Sequence, residues 1–377
     1  MGSRTISKGE IFQNNSEERR PGTTKKLAET GKEGKRMKEL RKPPKLCRGD
    51  TIAVVSPCHG WAGDAKIRWK YQLGVTYLQE IGLKVLPAPN ALRGSAYLSE
   101  NPEARAEDIM WAFENADVKA IIASVGGNDS IRIIPYIESS RIRTYPKIFI
   151  GYSDVMNLHI LAYHCGLSSF YGCNLLSPLA EAQGWHPYSR KWFEKVLFSD
   201  SEIGVIEPSK EWTYEEVDYF DPLHRRTYYP NNGYELIQGK GTVKGRLFGG
   251  HTGLKELGNT PLALDAEDFR DTILFLEDIP EFFTPLAIED FLRWLDRIGA
   301  LGEINGMILG KASENTTFTR QKETVRDVLS QLGQGKLPVI YGVNFGHSSP
   351  VCVLPYGTEA EINCEKISFS ILESGVL

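Results

Sequence analysis

No apolar run in this 377-residue sequence approaches the roughly 20 residues needed to cross a bilayer. No early stretch has the apolar centre of a secretory signal, so a cytoplasmic protein is expected. The six cysteines (Cys47, Cys58, Cys165, Cys173, Cys352, Cys364) form no CxxC pair. That argues against structural zinc and fits reduced thiols. An excess of one charge is also lacking. The net charge of -4 provides no field for a nucleic acid or a membrane. No internal repeat is visible. A Walker sequence is missing too, since GMILGKAS (306–313) is one residue short of GxxxxGK(S/T) and reads as a strand.

Residues 1–45 are rich in Lys, Arg, Glu, Gly and Ser and poor in large apolar side chains. Such a segment buries too little surface to offset its ordering entropy, so a disordered tail is expected. Met37 stands just before the ordered part and is a candidate for the true start.

From residue 46 the chain alternates strands and helices. DTIAVVSPCHG (50–60), LKVLPAP, KAIIASVGG (119–127) and KIFIGYSD (147–154) read as strands. Segments 65–82, 102–118 and 155–166 have helical spacing, as does a run from Ser130. Near-continuous apolar strands between helices predict a parallel sheet covered on both faces, over 46–180. Residues 181–240 are aromatic, polar and turn-rich, and predict an inter-domain excursion that either carries function or covers a sheet edge. From 241 to 377, DTILFLED (271–278), INGMILGK and LPVIYGVNFGH read as strands, with a helix over 287–302. AEINCEKISFSILE reads as a closing antiparallel pair. The fold class expected is α/β in two domains.

The stretch SVGGNDSIRIIPYIES (124–139) sets a bare serine, Ser130, behind a glycine turn. Three readings are open. Ser130 could cap a helix, since serine is a favoured N-cap. It could belong to a phosphate-binding turn, because a glycine turn at a helix N-terminus suits anions. GGND is similar to the GGDG turn of some nucleotide kinases. Or Ser130 could be a nucleophile, which needs a base and a group to orient that base. Among seven histidines, His347 sits on a glycine turn just past an apolar strand. Glu277 ends the strand ILFLE. Strand C-terminal ends are where α/β sites form.

Taken together, SVGGNDSIRIIPYI, GYSDVMNLH, GRLFGGHTGL, ILFLED and VIYGVNFGHSSPVCVLPYG resemble the LD-carboxypeptidase family of serine peptidases, most closely its microcin C self-immunity branch. The resemblance covers nearly all of 46–377. It implies a flavodoxin-like N-terminal domain, a C-terminal domain of mixed sheet and an active site between them. It implies Ser130 as nucleophile, His347 as base and Glu277 as its orienting acid, with backbone N–H groups of Ile131 and Gly127 as oxyanion donors. No metal and no cofactor are implied. Expected substrates are murein L,D-peptides or peptidyl and aminoacyl nucleotides, and a homodimer is expected. Tyr219, Phe220, Arg225, Arg226, Asn128, Asp129 and His251 are the candidate substrate contacts, with Arg132 a further candidate cation. The sequence departs from the family pattern at His251, where GGN is usual, and at Asp290, where Arg is usual. At the place where the microcin branch carries an adenine-stacking Trp it offers Tyr219 or Phe220, with Trp212 upstream. The alternative is a catalytically inactive small-molecule or nucleotide-binding protein on the same fold.

Overall fold

The computed structural model describes residues 39–314 and 316–377. The expected tail over 1–38, with Met37, lies outside the described residues. Residues 39–45 are not a disordered tail. Leu40 is buried, the Arg41 N–H donates to the Gly166 carbonyl, and the Lys45 N–H donates to the Leu377 carbonyl. Buried Leu40 and Pro43, backbone hydrogen bonds to Gly166, Ser168 and Leu377, and the Lys42–Glu373 ion pair hold this short stretch against the body.

The first sheet starts from β1 (Thr51–Val55), β2 (Lys84–Pro87), β3 (Val118–Ala123), β4 (Ile148–Gly151) and β5 (Phe170–Tyr171). Three short strands follow: β6 (Gly204–Val205), β7 (Glu211–Trp212) and β8 (Tyr229–Pro230). Then come β9 (Glu235–Gln238), β10 (Thr242–His251), β11 (Thr272–Glu277), β12 (Ile304–Gly310) and β13 (Val339–Val343). The chain closes with β14 (Leu354–Pro355), β15 (Glu359–Asn363) and β16 (Ser368–Ile371).

The first sheet runs β14-β5-β4-β3-β1-β2, with β1 to β5 parallel. This is the flavodoxin-like order, with an antiparallel edge added by β14. The second sheet runs β6-β16-β15-β10-β11-β12-β13-β9. Its centre, β10 to β13, is parallel and its flanks are antiparallel. The sequence explains the centres of both sheets. IFIG in β4 and TILFLE in β11 are buried at every position, as strands covered on both faces must be. Among the described residues no helix is long and apolar enough to cross a membrane.

Some expectations change. The run from Ser130 is a 3-10 helix, Ser130–Tyr136, not an α-helix. Pro135 lies inside it and lacks the N–H an α-helical ladder needs. The excursion over 181–240 does more than connect the two halves. Its β6 pairs with β16 and its β9 pairs with β13, so it supplies strands at both edges of the second sheet. Unpaired edges are costly to leave open. In the same way β14, from the segment expected to be wholly C-terminal, pairs with β5 of the first sheet.

Candidate active site

The strand β4 ends at Gly151, and two residues later Ser153 has a φ of 67°. A residue with a Cβ rarely adopts that left-handed conformation. The chain then enters the helix Met156–His164. A strand, a sharp turn at a serine and a helix together push the hydroxyl out at the C-terminal edge of a parallel sheet. The turn after β3 comes in beside it. A Cβ on Gly126 would lie 2.7 Å from the Ser153 Cβ and 2.9 Å from its Oγ, so only glycine permits this approach.

Glu277 and His347 come from the second sheet. Glu277 is the last residue of β11 and is 2 % exposed. Past β13, Gly346 turns the chain with a φ of 89°, and a Cβ there would fall on the Glu277 carboxylate. His347 is the next residue. Its backbone N–H donates to Glu277 Oε2 at 3.1 Å, and its Nδ1 lies 2.7 Å from the same oxygen. With the proton on Nδ1, Nε2 is free to accept from the Ser153 hydroxyl, 2.9 Å away. Tyr171, from β5, joins the two sheets. Its hydroxyl donates to Glu277 Oε1 and accepts from the Ser153 N–H at 3.3 Å.

The electrostatics agree with this geometry. Burial alone would lower the His347 pKa, but the charge and hydrogen bond of Glu277, with Asp278 and Glu281 nearby, raise it above 6.5. Burial alone would raise Glu277, but His347 and the Tyr171 hydroxyl hold it below 4.5. The acid therefore stays ionised, and the imidazole binds a proton more readily than a free histidine does.

The structure brings Glu277 and His347 together as expected, but the serine facing His347 is Ser153 and not Ser130. Ser130 is fully buried. Its hydroxyl donates to the Asp154 carbonyl at 2.7 Å and accepts from Asn157 Nδ2 at 2.9 Å, so it is spent on the protein itself. Ile131 sits in the 3-10 helix next to Ser130 and does not border the space in front of Ser153.

That space is a cavity of about 360 Å³. Ser153 and His347 border it, with Gly127, Tyr219 and Arg226 from the expected set. Arg226 is already committed. It makes a buried ion pair with Glu181 at 2.8 Å and donates to the Glu215 carbonyl. The other candidates lie elsewhere. Asp129 pairs with buried Arg105 at 2.9 Å and with Arg132 at 3.2 Å. Asn128 is outside the cavity. Phe220 is 61 % exposed and does not border the cavity. Arg225 folds back onto the Pro222 and His224 carbonyls. His251 caps the 3-10 helix Thr252–Asn259 by accepting the Gly253 N–H. Trp212 is fully buried and donates to Glu314, so it does not reach the cavity. The aromatic wall comes from Tyr219 and Trp61, whose rings meet edge-on at 4.9 Å.

The sequence signature of the LD-carboxypeptidase N-terminal domain matches residues 52–172, and that of the LD-carboxypeptidase C-terminal domain matches residues 244–362. The chain belongs to the LD-carboxypeptidase family. A Bacillus subtilis protein named "Probable murein peptide carboxypeptidase" is 30 % identical over 343 residues, 89 % of this chain and 95 % of that protein. The microcin C7 self-immunity protein of Escherichia coli is 28 % identical over 337 residues, 87 % of this chain and 94 % of that protein. Among solved structures, an MccF-like protein from Streptococcus pneumoniae in complex with AMP superposes with a TM-score of 0.77 at 28 % identity. The match covers 86 % of this chain and 98 % of that one.

Within this LD-carboxypeptidase fold, sequence reasoning missed Ser153 and Tyr171. A signal for Ser153 was present. In KIFIGYSDVMNL the serine follows a buried strand and directly precedes a helix, in a G-x-S arrangement. Tyr171 gave no local signal, because its role depends on a partner 106 residues away.

Proposed function

We propose that this protein is a serine-type amide hydrolase that cleaves a small peptide. The observation that carries the reading is the continuous hydrogen-bonded chain Glu277–His347–Ser153 opening on a cavity. In this mechanism His347 Nε2 takes the Ser153 proton as Oγ attacks the scissile carbonyl carbon. Glu277 fixes the tautomer and stabilises the imidazolium that forms. The oxyanion is received by the N–H of Asp154, the residue after the nucleophile, and by that of Gly127 on the facing turn. The imidazolium then protonates the leaving amine. An acyl-enzyme on Ser153 is left, and water attacks it by the same route in reverse.

The charges around the cavity favour a peptide. Glu215, Glu216 and Glu281 border it, and its one arginine is neutralised by Glu181. A phosphate would meet three carboxylates there. A murein L,D-peptide, which carries amino groups beside its carboxylates and no phosphate, is the substrate class we favour. An aminoacyl nucleotide is the second reading, supported by the Trp61–Tyr219 wall, on which a base could stack.

The test is mass-spectrometric. Wild type and Ser153→Ala are incubated with a murein L,D-tetrapeptide and with an aminoacyl sulfamoyl adenosine. The expected result is D-alanine release that falls by about 10⁴-fold or more in Ser153→Ala. Release of amino acid from the adenosine compound alone would favour the second reading. Turnover that survives Ser153→Ala, or no turnover of either compound, would contradict the proposal.

A further inference from the structure

Ser130 is buried, polar and adjacent to the site, yet it takes no part in the chemistry described above. The groups around it form a closed set centred on Asp154. Asp154 Oδ2 accepts the backbone N–H of Asp129 at 3.0 Å and that of Ser130 at 2.8 Å. The Asp154 carbonyl accepts the Ser130 hydroxyl at 2.7 Å. Asn157 Nδ2 reaches both Ser130 Oγ at 2.9 Å and Asp154 Oδ1 at 3.2 Å. The turn is also held from behind. Arg105 is 1 % exposed and grips the Asp129 carboxylate and the Pro57 and Cys58 carbonyls.

The consequence is geometric. Asp154 directly follows Ser153, whose φ is 67°, so its amide is the one next to the nucleophile in the chain. The segment Gly126–Ser130 carries Gly127, which lines the cavity in front of Ser153. The Asp154 carboxylate and carbonyl hold that segment, and Ser130 supplies two of the hydrogen bonds. With the Ser130 hydroxyl removed, the direct tie from this turn to the Asp154 carbonyl is lost. A small relative displacement of two amides that must converge on one oxygen is costly to a transition state and nearly free for a bound ground state.

We propose that Ser130 is a positioning residue that locks the Ser153–Asp154 elbow to the Gly126–Gly127 turn and so sets the spacing of the two oxyanion donors. The proposal rests on reading Ser153 as the nucleophile. Its experiment uses the full chain with Ser130→Ala, Asn157→Ala and Ser153→Ala. It reads kcat and KM on the peptide that wild type cleaves, the rate of covalent labelling by a fluorophosphonate, and the melting temperature. In Ser130→Ala, kcat is expected to fall about 10- to 100-fold with KM nearly unchanged. Labelling slows but stays on Ser153. Asn157→Ala, which leaves Ser130 in place but removes its second partner, shows a smaller fall of the same kind. It also carries the test alone if Ser130→Ala does not fold.

An unchanged kcat in folded Ser130→Ala overturns the proposal. So does a rise in KM at constant kcat, which would make Ser130 a substrate contact. A purely structural role would lower the melting temperature without the kcat loss, and that result also overturns it. The underlying reading fails separately, through activity that survives Ser153→Ala.

Discussion

His347 Nε2 sits 2.9 Å from Ser153 Oγ although 194 positions separate the two residues in the chain. The first sheet presents the serine at the end of β4, and the second presents the imidazole past the end of β13. Neither sheet alone holds both partners of this contact. The contact exists because both parallel centres direct their C-terminal edges toward one cavity, where α/β sites form.

The pH dependence of activity follows from His347. The imidazole must be neutral to accept the Ser153 proton, and its pKa is raised above 6.5 by Glu277. Activity should therefore rise with pH through a value above 6.5. Glu277→Gln removes the charge responsible, so the acid limb should move to lower pH while kcat falls about 10³- to 10⁴-fold. A kcat/KM profile over pH 5 to about 9, spanning the ordinary histidine range, checks both. An acid limb that stays in place in Glu277→Gln would contradict the assignment.

Tyr171→Phe removes the hydroxyl that donates to Glu277 and accepts from the Ser153 N–H. A hydrogen bond to a charged group contributes about 1.5–3 kcal/mol, so a stability loss of that order is expected. The sign of its pH dependence is fixed. Glu277 is held below 4.5 in the folded state, so its stabilisation is present above that value and lost as pH falls through the depressed one. In Tyr171→Phe this window narrows. Chemical denaturation at neutral pH and near pH 4 measures the change.

Gly126→Ala puts a methyl group 2.9 Å from Ser153 Oγ. The turn must retreat or the serine must rotate, and either spoils the attack geometry. We expect kcat to fall about 10²-fold with little change in melting temperature. Steady-state kinetics alongside thermal denaturation separates the two effects.

The pair Arg226–Glu181 is 3 % and 4 % exposed. Glu181→Leu would leave Arg226 buried and unpaired, with the buried ammonium of Lys70 near it. A loss of about 3–5 kcal/mol is expected, most of it recovered in the double substitution Glu181→Leu with Arg226→Met. Urea unfolding of the two single variants and the double variant closes the cycle.

The sheets, Glu277 and His347 were legible in the sequence because each has a local signature. Apolar runs mark parallel strands, and acid or glycine-turn ends mark the edges where side chains emerge. The serine was harder to choose. Ser130 and Ser153 both come after buried strands that are neighbours in one sheet. What separates them is the φ of 67° at Ser153 and the Pro135-limited 3-10 helix after Ser130. The proline was visible in the sequence and the backbone angle was not. The substrate contacts were least legible. Arg226 and Asp129 look available in sequence, and only the fold reveals that Glu181 and Arg105 have already taken them.

The most direct measurement is to treat the folded protein with a fluorophosphonate, digest it and map the modified peptide by mass spectrometry. A single adduct on Ser153, in the segment GYSDVMNLH, is the result predicted. It should disappear in Ser153→Ala and persist in Ser130→Ala. An adduct on Ser130, or labelling that survives Ser153→Ala, would contradict the central claim.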